Sequence, residues 1–213
     1  MSRACTGTPV RPTSDADADA FEAARELLLR ELYYEPLVAV EPTHPLRAYK
    51  LLYGETPALA TQRRVRALYE RWPRPPKRGG IYAYRDARDG DVLLFKLGSS
   101  KHVERRLDQW RALLGAGREH FTSFYVDDCA DCALAEAIVH ELLACERQRR
   151  ELVATGALLT EYFRVTSIEA LRLLMASVVR HVNYRAWRRD ARAAYTQHRP
   201  PLRRTMSDPQ LKY

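Results

Sequence analysis

Residues 79–114 read GGIYAYRDARDGDVLLFKLGSSKHVERRLDQWRALL, and the change of period inside this stretch decides the fold. Gly80-Ile81-Tyr82-Ala83-Tyr84 is strand-like. Arg85–Asp91 is a polar turn containing Asp89-Gly90, and Val92–Gly98 is a second apolar run. Two such runs around a glycine-containing loop predict an antiparallel hairpin. After Gly98 the period lengthens. Ser99 or Ser100 can cap a helix over roughly residues 101–114 that turns Val103, Leu107, Trp110 and Leu114 inward and Lys101, Arg105, Asp108 and Arg111 outward.

Outward from this centre, Trp72-Pro73-Arg74-Pro75-Pro76-Lys77-Arg78-Gly79-Gly80 marks a boundary, because three prolines stiffen it, basic residues keep it solvated and two glycines end it. Upstream, a helix is expected near Thr61–Trp72. A connecting arm with four prolines fills 36–58, and a helix ending at Tyr33-Tyr34-Glu35-Pro36 carries the apolar stripe Phe21, Ala24, Leu28, Leu32. Residues 1–17 mix Pro, Thr, Ser and alternating Asp/Ala and are expected to be disordered. Downstream, the pattern predicts a strand at Phe121–Val126, a long helix over about 131–152, a short strand at Glu161–Val165 and a last helix over Ser167–Asn183. This places a helical and Pro-rich extension at 18–78, an α+β domain at 79–184 and a basic tail at 185–213.

The 213 residues are 46% hydrophobic and 29% charged, a globular composition. No apolar run reaches the roughly 18 residues a membrane-spanning helix needs, and MSRACTGTPV lacks the apolar segment of a secretory signal. A protein working inside the cell, in cytosol or nucleus, is expected, and its four cysteines do not read as a disulfide framework. The net charge of +8 suggests an anionic partner, but its placement matters more than its sum. Residues 79–184 hold 14 basic and 15 acidic side chains, whereas residues 185–213 hold 8 and 2. In the tail, Arg185, Arg188 and Arg189 alternate with Trp187, a mixture suited to non-specific phosphate contact and equally to a solvated helix end.

The order of elements, with Gly80-Ile81-Tyr82, then Lys96-Leu97-Gly98, then Arg105-Arg106-Leu107 on a helix and Glu136 on a later one, resembles the GIY-YIG nuclease superfamily. It is most similar to the phage-, virus- and fungus-associated branch whose second motif reads Lys-Ile-Gly. The resemblance covers about 79–165. It implies a small three-stranded antiparallel sheet flanked by helices that cuts DNA with one divalent cation, Mg²⁺ or Mn²⁺. By the same resemblance Tyr82 activates the nucleophile, Arg106 clamps phosphate and Glu136 ligates the metal. Arginine suits its role because a guanidinium holds phosphate oxygens bidentately and stays charged. A carboxylate suits Mg²⁺ because the ion is hard and keeps most of its waters. Lys96 stands where better-studied branches carry a second tyrosine, and becomes an added electrostatic contact. Trp110 stands where some members carry a proton-handling His or Tyr, and Glu161-Tyr162-Phe163 occupies the region of a frequent Asn. Those departures leave a second reading open, a catalytically silent nucleic-acid-binding or structural protein on the same scaffold.

His140, one helical turn after Glu136, reads as a partner or proton relay for it. Cys129-x-x-Cys132 with His140 and Cys145 also admits a zinc reading, but one CxxC without a second pair is weak, and small buried thiols explain it as well. Lys101, His102 and Arg105, at the start of the arginine helix, are candidate nucleic-acid contacts beside Arg185, Arg188 and Arg189.

Overall fold

The computed structural model describes residues 19, 22–23, 25–26, 41–89, 92–152 and 157–197. The expected N-terminal disorder, most of the first helix, the Asp89-Gly90 turn at its glycine and the last sixteen residues lie outside them. Five α-helices and five strands follow in the order α1 (Pro45–Tyr53), α2 (Leu59–Arg71), β1 (Gly79–Asp86), β2 (Leu94–Ser100), α3 (Val103–Leu114), β3 (Phe121–Cys129), α4 (Cys132–Leu142), β4 (Arg147–Leu152), β5 (Ala157–Arg164) and α5 (Ile168–Gln197). The strands form one antiparallel sheet in the order β3-β1-β2-β5-β4. No helix among the described residues is long and apolar enough to cross a membrane.

The expected hairpin is β1 and β2, in a register that sets Tyr82 opposite Gly98 and Tyr84 opposite Lys96. Alternation along the strands then sorts side chains to two faces. Ile81, Ala83, Phe95, Leu97 and Phe163 join the main core under α4 and α5 with Ile138, Leu171, Leu174 and Val178. Tyr82 and Tyr84 take the other face, where Val103, Leu107 and Trp110 of α3 cover them.

Four expectations are corrected. Among the described residues the sheet has five strands, not three. The helix expected over 131–152 stops at Leu142, is followed by a 3₁₀ turn over Ala144–Glu146, and gives way to β4 at the sheet edge. The sequence Arg147–Leu152 hides a strand because its apolar complement comes from β5: Arg147 lies over the Phe163 ring at 5.4 Å and Arg150 over Tyr162 at 5.2 Å. The arm expected over 36–58 contains α1, whose start is set by Pro45 at its first turn and by His44 Nδ1, which accepts from the Leu46 N–H. Gly54, left-handed at φ 72°, ends it by donating to the Lys50 carbonyl. α1 and α2 bury Ala48, Tyr49, Leu52 and Val65 in the main core.

Finally, α5 does not end at Asn183 but continues to Gln197, so residues 185–197, nearly half of the expected basic tail, are helix. Ser167 Oγ caps its start by accepting from the Ala170 N–H at 3.2 Å.

Candidate active site

Tyr82 lies mid-strand in β1 and is 2% exposed. Its hydroxyl passes over Gly98, where a Cβ would meet Tyr82 Oη at 2.5 Å, so only glycine leaves room for the phenol there. That oxygen accepts a hydrogen bond from Trp110 Nε1 at 3.0 Å across the α3 face. Tyr82 is also among the residues that line a narrow crevice with Leu97, Gly98, Glu136 and Val139.

Lys96, two residues before Gly98, is buried. Its Nζ donates to Glu161 Oε2 at 2.5 Å and stands 4.8 Å from the centre of the Trp110 ring. A buried ammonium needs such a counter-charge. A register shift in β5, between its pairings with Gln148 and Arg150, falls beside Glu161 and is the kind of irregularity that re-aims a side chain. Arg106, one turn before Trp110 on α3, is exposed; its guanidinium carbon lies 4.9 Å from the same ring, and Nη1 donates to Gln109 Oε1 at 3.1 Å.

Glu136 and His140 sit one turn apart on α4. Ser99 Oγ donates to Glu136 Oε2, and the other carboxylate oxygen is 3.9 Å from His140 Nε2. Burial holds the Glu136 carboxyl above the usual range and the nearby Glu161 charge adds to this, while the Ser99 bond and Lys96 oppose it. Among the described residues no Lys or Arg forms an ion pair with Glu136. Burial pushes His140 down to about 4, so at neutral pH its ring is uncharged, and Nε2 is buried without a hydrogen-bond partner. Glu161 is driven up by burial, but the Lys96 bond and charge, with His140 and Arg147, bring it below the ordinary carboxylate value.

Tyr82 and Arg106 thus meet Trp110 on the α3 side, Glu136 and His140 adjoin on α4, and Lys96, over Trp110 and bonded to Glu161, lies between the two groups. The other candidates lie elsewhere. Lys101, His102 and Arg105 line a groove of about 970 Å³ between α3 and α5, whose walls also carry Glu104, Asp127, Asp128 and Asp190. Its charge is mixed rather than basic. Arg185 is spent on α2, 4.6 Å over the Tyr69 ring and donating to the Tyr69 carbonyl at 3.5 Å. Arg188 covers Tyr184, and Arg189 neighbours Asp190.

Cys129 and Cys132 are buried. Burial pushes the first up to about 12 and raises the second, so neither is a ready thiolate. No group of three or more His, Cys, Asp or Glu able to hold a metal ion occurs among the described residues. Asp131, between the two thiols, caps α4 by accepting from the Leu134 N–H.

Sequence reasoning missed Ser99 and Glu161. Ser99 and Ser100 looked like helix caps, but His102 holds the N-cap of α3 with no side-chain cap, and Ser100 Oγ accepts from the His102 N–H at 3.1 Å just before the helix. No local signal marks Glu161, because its partner Lys96 is 65 residues away.

Residues 79–180 match the T5orf172 domain family. The match spans just under half of the chain and holds every residue of the cluster. That family is associated with nuclease-type proteins, which points to a nuclease-like domain acting on nucleic acid. No curated protein and no solved structure matches the chain.

Proposed function

We propose that the chain is a metal-dependent DNA endonuclease with a GIY-YIG-type site. The observation that supports this reading is that Trp110 holds Tyr82, Lys96 and Arg106 together on the α3 side, while Lys96 is bonded to Glu161 toward Glu136 and His140 on α4. In hydrolysis a water oxygen bonds to phosphorus, the bridging P–O bond breaks, and the leaving oxygen takes up a proton while the water gives one up. Negative charge gathers on the phosphoryl oxygens as this happens. Arg106, exposed and unpaired with any carboxylate among the described residues, is placed to hold those oxygens. On this reading the Tyr82 hydroxyl, held by Trp110, would orient the attacking water.

The donor set suits a hard cation that keeps most of its waters: one carboxylate, Glu136, steadied by Ser99 and not neutralised by a basic side chain. When bound, Mg²⁺ or Mn²⁺ would lower the cost of forming hydroxide and of charge on phosphate. His140, uncharged beside Glu136, leaves that carboxylate free to bind.

A second reading, nucleic-acid binding without cleavage, is favoured by one feature: the Lys96 charge is already met by Glu161 and the Tyr82 oxygen by Trp110. Nicking of supercoiled plasmid with Mg²⁺, Mn²⁺ or EDTA separates the two. Cleavage that needs the cation and falls at least about 10²-fold in Glu136→Ala, with binding retained in gel shifts, is the expected result. Equal activity in the two proteins would remove the site, and binding with no cleavage under any cation would leave the second reading.

A further inference from the structure

We infer that Trp110 is the positioning residue of this site, acting through Tyr82 to fix which way its hydroxyl can work. The inference rests on the nuclease reading above and adds a residue that it leaves unassigned.

An indole nitrogen carries one hydrogen and has no lone pair to offer, so it can only donate. The 3.0 Å bond from Trp110 Nε1 therefore makes Tyr82 Oη the acceptor on the α3 side. The hydrogen of the phenol must point elsewhere, away from the indole N–H. A histidine at position 110 could draw the phenolic proton off through the helix; an indole cannot. Tyr82 is thus left to donate only away from α3, with its own oxygen steadied from the helix side.

Two further contacts argue that this is more than a core tryptophan finding an acceptor. The Lys96 ammonium and the Arg106 guanidinium lie 4.8 and 4.9 Å from the centre of the same ring. A cation held over an indole face is attracted by its quadrupole. One side chain therefore contacts Tyr82, Lys96 and Arg106 together. The Gly98 gap, which admits the Tyr82 hydroxyl and nothing larger, fixes the same oxygen from the strand side.

Trp110→Phe keeps an aromatic ring for the two cations and the packing, but removes the N–H. The proposal expects kcat for metal-dependent plasmid nicking to fall about 10²-fold with KM nearly unchanged, the size of effect seen when one fixed hydrogen-bond donor at a reacting centre is lost. It also expects non-additivity: in a Tyr82→Phe background the same change should cost less than about threefold, since the atom it acts on is gone. Folding is monitored by thermal melts of all four proteins.

A readout independent of cleavage uses the ¹⁵N-labelled indole N–H of Trp110, assigned by its loss in Trp110→Phe. Tyr82→Phe should shift this resonance and speed its exchange with solvent. Wild-type-like cleavage by folded Trp110→Phe, a full additive loss in the double variant, or an indole signal indifferent to Tyr82→Phe would each overturn the role of Trp110 while leaving the nuclease reading intact. Absence of cleavage by the wild-type protein would instead overturn the nuclease reading, and the positioning role with it.

Discussion

At the scale of single residues, the most constrained atom in the molecule is the Tyr82 hydroxyl oxygen. Gly98 is the clearest point at which sequence and structure require each other. Its glycine was readable as a motif position, but the reason for it was not: the side chain that fills the space belongs to the neighbouring strand, and only the β1/β2 register reveals the pairing. Gly98→Ala would place a methyl group 2.5 Å from Oη and 2.7 Å from the phenol Cζ, inside a packed face that cannot yield freely. The expected outcome is a loss of about 1–3 kcal/mol in chemical denaturation, the usual cost of overpacking, together with cleavage reduced at least as far as in Trp110→Phe. An unchanged midpoint with unchanged cleavage would mean that the Tyr82 ring can move aside. The same contrast holds for the rest of the cluster. Tyr82, Lys96, Arg106 and Glu136 were named through the family resemblance and His140 through its spacing from Glu136, whereas Ser99 and Glu161 act through partners 37 and 65 residues away.

At the scale of elements, the hairpin and α3 were legible because each buries one face, and the apolar period records that burial. β4 was not. From Arg147 to Arg150 every side chain is polar, and the strand is held by backbone pairing with β5 and by arginine stems laid over aromatic rings. Charged residues on an edge strand also oppose pairing with another chain, so the composition that hid the strand suits its place at the sheet edge. Arg147→Ala and Arg150→Ala should each destabilise the protein by about 0.5–1 kcal/mol, the range for exposed cation–π contacts. The effect should be concentrated in β4, read as faster amide hydrogen exchange over residues 147–152 with little change in β1. Uniformly faster exchange across the sheet would show that β4 does not open on its own.

At the scale of the whole molecule, the family match and the folded core have different limits. The match begins at residue 79, yet α1 and α2 supply Ala48, Tyr49, Leu52 and Val65 to the core completed by α5. The seam where they meet α5 is marked by His44, Tyr69 and His181, with ring centres 5.0–5.8 Å apart, and by Arg185 over Tyr69. Sequence periodicity places the apolar stripes of these helices but not this seam, since its members come from three separated segments. Burial pushes His181 down to about 4, and the nearby His44 and Arg185 reinforce the shift; His44 is lowered too, chiefly by burial, with Arg185 and Arg66 adding. Both rings are thus held neutral in the folded state, while in the unfolded chain they take up a proton near pH 6.5. The unfolded state then binds more protons through the window between about 4 and 6.5, so stability is full above pH 6.5 and is lost as the pH falls toward 4. For His181 alone this amounts to on the order of 3 kcal/mol across the window. His181→Phe, which keeps an aromatic ring against Tyr69 and His44 but cannot take up a proton, should flatten the dependence of stability on pH between 6.5 and 4, measured by urea unfolding at fixed temperature. A slope identical to that of the wild type would place the acid sensitivity elsewhere in the molecule.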